Sequence, residues 1–208
     1  VGAEKLEINN DISRRHFLGP GYFIFREEFL SSPKITIHEE VKSIFVCMGG
    51  SDPDQLTEKY LIFLINSGYL LDIKIVINHL DKKRNETIQN ILSSYSGTSE
   101  LIINPGDLCA VICSCDIGLV NSGLIKYETS LVGLPCLSVS NNLHHEMVMQ
   151  YFSEPGSIIH LGLADEMTED HFKSSLSILM ENVEIRKELS RKCKSMFDGK
   201  GIQKLYDY

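Results

Sequence analysis

The sequence predicts an α/β domain built on a doubly wound parallel sheet of about six strands. Three observations predict it. Beyond Glu40, short Ile/Val-rich runs alternate strictly with longer amphipathic ones, the order expected of βαβ units. The short runs are almost continuously apolar, as strands buried on both faces must be. Small and hydrogen-bonding residues follow the strands, while helix-ending glycines precede them, so the two edges of the sheet differ in chemistry.

Residues 1–40 read as a lead-in arm and interdomain segment, and residues 41–208 as the main domain. In the arm, Phe17–Leu30 holds aromatic residues around the turn signal Gly19-Pro20-Gly21, and Ser31-Ser32-Pro33 separates it from the rest of the chain. Strands are expected at Ser43–Met48, Asp72–Asn78, Glu100–Asn104, Asp116–Val120, Cys136–Ser140 and Ser157–His160. Helices are expected at Asp54–Asn66, Lys83–Ser94, Gly106–Cys113, Gly123–Val132, His144–Phe152, Thr168–Met180 and Glu184–Phe197, with a last turn near Ile202–Tyr206. Ser67-Gly68, Ser96-Gly97, Gly133 and Pro155-Gly156 supply what helix C-caps require.

Composition narrows the function. A 43% hydrophobic, 23% charged chain is that of an ordinary globular protein, and no apolar run approaches the roughly 18–20 residues of a membrane span. Val1-Gly2-Ala3-Glu4 shows neither a charged nor an apolar signal region, so the cytoplasm is the expected location. With 20 basic against 28 acidic side chains, nucleic-acid binding is not expected. An anionic ligand must therefore be held locally, by backbone N–H groups and helix N-termini.

Cys109, Cys113 and Cys115 form a C-x3-C-x-C cluster inside the apolar run Leu108–Val120. Without a C-x2-C pair, burial as small hydrophobes is the better reading than a metal site, and the same holds for Cys47, Cys136 and Cys193. No metal and no cofactor is called for.

Ligands of open parallel sheets bind outside the carboxyl ends of the strands. The loops there are Gly49-Gly50-Ser51-Asp52-Pro53, Asn104-Pro105-Gly106-Asp107, Asn121-Ser122-Gly123 and Asn141-Asn142-Leu143-His144-His145. Gly49, Gly50 and Ser51 lack bulk where a phosphate could approach the backbone. Part of that loop also reads as a helix start, with Asp52 as N-cap, Pro53 at N1 and Gln55 at N3. Asp52 and Asp54 would repel a diphosphate placed too close. The amides and hydroxyl of Ser122 and Gly123 can hold phosphate oxygens, and Glu128, further along the same helix, can accept both hydroxyls of a ribose. A solvated surface glutamate is the alternative. His144 and His145 point in different directions on a helix, so one of them faces the cleft and joint metal ligation is not expected. His16, His38, His79, His160 and His171 have no supporting context.

Taken together, Gly49-Gly50-Ser51-Asp52-Pro53 with Leu56-Thr57, Ser122-Gly123 with Tyr127-Glu128, and Gly133-Leu134-Pro135 resemble the C-terminal domain of the PseG-type UDP-sugar hydrolases. That family is related to MurG-like glycosyltransferases and spore-coat polysaccharide proteins. Phe17-Leu18-Gly19-Pro20-Gly21-Tyr22 with Arg26-Glu27-Glu28-Phe29 resembles the family's interdomain stretch. The resemblance implies a Rossmann-like domain, the C-terminal half of a glycosyltransferase-B (GT-B) fold, with UDP or a UDP-sugar between it and an N-terminal domain of the parent chain. It places the glycine loop and Ser122-Gly123 at the diphosphate, Glu128 at the ribose, and the backbone of Asn104, Gly106 and Leu108 at the uracil. Asn142, His144 and His145 would lie on the sugar side. The family's catalytic histidine belongs to the N-terminal domain, so no catalytic residue is assigned to this chain and none of its activity is expected without the other half.

Two departures bear on specificity. The family usually has Ala-Gly-Gly-Ser/Thr-like residues where Asn121-Ser122-Gly123-Leu124 stands, and often an Asn-Gln pair near the sugar, where this chain has Leu143-His144-His145-Glu146. The expected parent is a hydrolase or glycosyltransferase of surface polysaccharide or nonulosonate biosynthesis. The competing class is a non-catalytic nucleotide-sugar-binding or interaction domain fused to another enzyme. A dinucleotide cofactor domain is disfavoured, because Gly49-Gly50-Ser51 is not G-x-G-x-x-G and no acidic residue ends the second strand.

Overall fold

Six apolar runs become strands: β1 Ser43–Cys47, β2 Asp72–Ile77, β3 Thr98–Ile103, β4 Ile117–Asn121, β5 Cys136–Ser140 and β6 Ile159–Leu163. The computed structural model describes residues 19–31, 35–78, 81–154 and 156–207. Readings placed on Val1–Glu4, His16, Phe17-Leu18, Ser32-Pro33, His79 and Pro155 lie outside the described residues. All strand pairs are parallel, in the order β3-β2-β1-β4-β5-β6. The chain enters at the centre, winds outward to β3, then returns to the other side of β1. That reversal sets the switch point between β1 and β4, where the connections at the strand ends diverge and leave a crevice.

Alternation along β1 shows why the sheet is covered twice. Ile44 and Val46 point into one core, with Leu56, Tyr60, Leu61 and Leu64 of helix α2 (Leu56–Asn66) and with Ile88 of α3 (Lys82–Leu92). Phe172, Leu176 and Leu179 of α7 (Glu169–Glu181) complete that layer. Phe45 and Cys47 point into the other core. There they meet α4 (Leu108–Cys113), α5 (Ile125–Val132) and α6 (Leu143–Ser153), through Ile112, Tyr127 and Phe152. Phe25 and Phe29, the latter in the short helix α1 (Glu27–Leu30), are buried in this second core. Phe197 joins them after α8 (Val183–Met196), and α9 (Gly201–Tyr206) closes against the lead-in, where Gly201 sits under the Phe23 carbonyl. Five of the six cysteines are buried and all are free, matching the core reading.

Several boundaries differ from expectation by a few residues, three of them for a visible reason. Helix α2 starts at Leu56, because Asp52 (φ 38°) and Gln55 (φ 54°) adopt left-handed backbone; Gln55, not Asp52, is the N-cap residue. β3 begins two residues early, at Thr98, pairing with Asp72 and bonding its side chain at 3.0 Å. This is a sheet-edge strand with polar, exposed residues, so an apolar run could not reveal it. β6 starts late because Ser157 is occupied elsewhere, its hydroxyl donating to Phe152 O at 2.7 Å to close the end of α6.

Candidate functional site

The loops after β1, β4 and β5 close round a cavity of about 620 Å³ at the carboxyl ends of the strands. Its wall includes Gly49, Gly50, Ser51, Asn104, Leu108, Gly123, Glu128, Asn142 and His145 of the expected residues. Four others lie off the wall. Gly106 is exposed beside it, and His144 is exposed on the next helix position. Ser122 is only 1% exposed, turned under its own loop, and the Tyr127 ring is buried, stacked on Phe23 at 4.3 Å. Successive residues on a helix start diverge by about 100°, so His145 faces the cavity and His144 does not.

The two glycines after β1 are held to their size by asparagines. Gly49 has φ +100°, and a Cβ there would stand 2.7 Å from Asn121 Nδ2; one on Gly50 would stand 2.8 Å from Asn78 Nδ2. Asn121 joins the two loops: its Nδ2 donates to Met48 O at 2.7 Å, and its Oδ1 accepts from Gly123 N at 3.0 Å. Both loops are thus fixed relative to each other before any ligand arrives.

Asp52 turns away from the cavity's chemistry into the protein. Its carboxylate accepts from Leu56 N at 2.9 Å, Thr57 N at 3.0 Å and Thr57 Oγ1 at 2.6 Å. Arg84 meets it at 2.5 Å and meets both oxygens of Glu58 at 2.8 and 2.9 Å. Arg84, shared with Glu58, therefore offsets only part of the repulsion expected between Asp52 and a diphosphate. Sequence reasoning missed this arginine. The signal was a basic triplet, Lys82-Lys83-Arg84, in the first turn of a helix, where cations are unfavourable without a partner.

Glu128 is not a solvated surface residue. Arg26 of the lead-in donates Nε and Nη2 to its Oε1 at 3.0 and 2.9 Å. Burial raises the Glu128 pKa, and Arg26 works against that shift. His145 is held below its ordinary value by burial and by Lys126, so near neutral pH it is an uncharged imidazole. Its Nδ1 and the Asn141 Oδ1 are buried without a partner among the described residues. Cys47 lines the floor, its thiol pushed up to about 11 by burial, which leaves it unreactive at neutral pH.

No family model matches the chain. It is 25% identical over 193 residues to the spore coat polysaccharide biosynthesis protein SpsG of Bacillus subtilis, covering 90% of this chain and 56% of SpsG. The chain therefore spans about half the length of that curated relative. Among solved structures it superposes on MurG of Acinetobacter baumannii with a TM-score of 0.67 at 14% identity, over 82% of this chain and 50% of MurG. A UDP-GlcNAc 2-epimerase of Neisseria meningitidis, solved with UDP-GlcNAc, gives 0.61 at 18% identity, over 82% of this chain and 44% of the epimerase. The chain has the fold of one Rossmann-like half of the GT-B proteins. No described helix is long and apolar enough to cross a membrane.

Proposed function

We propose that this chain is the nucleotide-binding half, in C-terminal position, of a cytoplasmic enzyme acting on a UDP-sugar in polysaccharide biosynthesis. The observation that carries the reading is the cavity at the switch point, which gathers two glycine-containing loops and one carboxylate. Glu128 takes the ribose hydroxyls, exchanging its bond to Arg26 for them. The diphosphate lies between the Gly49–Ser51 loop and the start of α5, with the uracil towards Asn104 and Leu108. The sugar faces Asn142 and the neutral His145. Catalysis requires the partner domain, either by water attack releasing UDP or by transfer to an acceptor.

Several facts support this placement. SpsG is named for polysaccharide biosynthesis, the epimerase was solved with UDP-GlcNAc, and MurG shares the fold. The test is calorimetric titration of the chain with UDP, CMP and NAD. UDP binding that Glu128→Ala weakens by about 1–3 kcal/mol is expected. Heat with none of the three would leave only the interaction-domain reading.

A further inference from the structure

The cavity wall is acidic: Asp52, Asp54 and Glu128 stand against Arg26 alone among its formal charges. Arg26 is taken by Glu128, and the guanidinium behind the first loop, Arg84, by Asp52 and Glu58. One further cation lies behind the second loop. Lys126, in the first turn of α5, is 3% exposed. Its ammonium donates to the carbonyls of Ser122 and of Gly123, the latter at 3.1 Å, and sits over the rings of Tyr127 and Phe152 at 4.5 and 5.3 Å. Among the described residues no carboxylate pairs with it. Burial pushes it down to about 8, as expected of a charge held without a counter-charge.

A buried, unpaired ammonium is costly, and an apolar side chain could fill the same space. What the ammonium adds is charge and orientation. A trans peptide points its C=O and N–H in opposite directions, so holding the carbonyls of Ser122 and Gly123 turns the amides of Gly123 and Leu124 away from Lys126; Asn121 Oδ1 accepts from the first at 3.0 Å, which leaves that of Leu124 for the cavity. Gly123, Leu124 and Ile125 line the cavity, and α5 has no side-chain cap. The Ser122 hydroxyl, in the same loop, is fully buried without a partner.

We infer that Lys126 is a positioning residue and the counter-charge for the ligand's diphosphate, turning the Leu124 amide to the cavity and supplying from behind it the positive charge the wall lacks. This rests on the UDP-sugar reading above. The ligand need not touch the ammonium, since charges one peptide away interact strongly when both are partly desolvated.

The test compares UDP with uridine, which lacks the charge. Lys126→Met is expected to weaken UDP about tenfold to a hundredfold and uridine less than about threefold, a split that structural damage would not give. Should that variant fail to fold, the wild type serves: with lysines 13C-labelled at Cε, UDP but not uridine raises the Lys126 titration midpoint by about one unit or more, a tenfold coupling. His145 of α6, held below its ordinary value, is already neutral across pH 7.5–9.5. Cys113 and Cys193, on neighbouring helices, are pushed up to about 12 and 11. If UDP binds but neither the split nor the midpoint shift is seen, the role assigned to Lys126 is overturned and the UDP reading stands. If neither UDP nor uridine binds the wild type, both fall.

Discussion

The two helix starts that flank the cavity, α2 after β1 and α5 after β4, treat charge in opposite ways. At α2 the free amides of Leu56 and Thr57 are taken by the protein's own carboxylate, Asp52, which shares the Arg84 guanidinium with Glu58. At α5 Asn121 takes only the amide of Gly123, no side chain caps the N-cap residue Leu124, and the buried cation behind them, Lys126, has no carboxylate among the described residues. The first loop is closed on itself and is stiff by construction. The second is less closed, its buried cation having no acid partner among the described residues. Two glycine-bearing loops that look interchangeable in sequence thus differ in how they treat charge, one pairing it within the fold and the other keeping a buried cation without an acid.

This contrast can be broken at several points. Arg84→Ala leaves Asp52 and Glu58 buried without their cation, and urea unfolding should show a loss of about 3–5 kcal/mol. A loss below about 1 kcal/mol would mean the first loop is not held by these ion pairs. The pH dependence of stability tests the second loop. Burial lowers the Lys126 pKa from 10.5 to about 8, so its destabilising effect is fully present below pH 8. As pH rises from 8 to above 10 the folded state gives up this proton while the unfolded chain keeps it. The wild type should then gain about 2–3 kcal/mol relative to Lys126→Met; parallel pH curves would show the amine to be ordinary.

Smaller effects sharpen the comparison. Gly49→Ala combines a left-handed backbone with a Cβ 2.7 Å from the Asn121 amide, and thermal melting should register a loss of about 1–3 kcal/mol. Leu124 is 70% exposed at the start of α5, so Leu124→Asp should change stability by no more than about 0.5 kcal/mol. It nevertheless places at α5 the kind of charge that Asp52 supplies at α2, and UDP affinity should fall about tenfold by repulsion. Undiminished binding would place the diphosphate elsewhere.

Much of this was legible in the chain. Parallel strands buried on both faces must be apolar throughout, so β1, β2, β4 and β5 announced themselves, and the edge strand β3, polar and exposed, announced itself poorly. Loops that come after strands fall on one edge of such a sheet, which brought Gly50, Gly123, Glu128 and His145 towards one hollow in advance. Which partner each charge takes was not legible. Arg84 meets Asp52 from 32 positions away and Arg26 meets Glu128 from 102, and such distances along the chain carry no periodic signal. Nor could residue type say that Ser122 and Tyr127 turn inward while Gly123 and Glu128 face the cavity. Sequence determines what a residue can donate, accept or bury; only the packing of distant segments decides which of those capacities are spent inside the fold and which are left for a ligand.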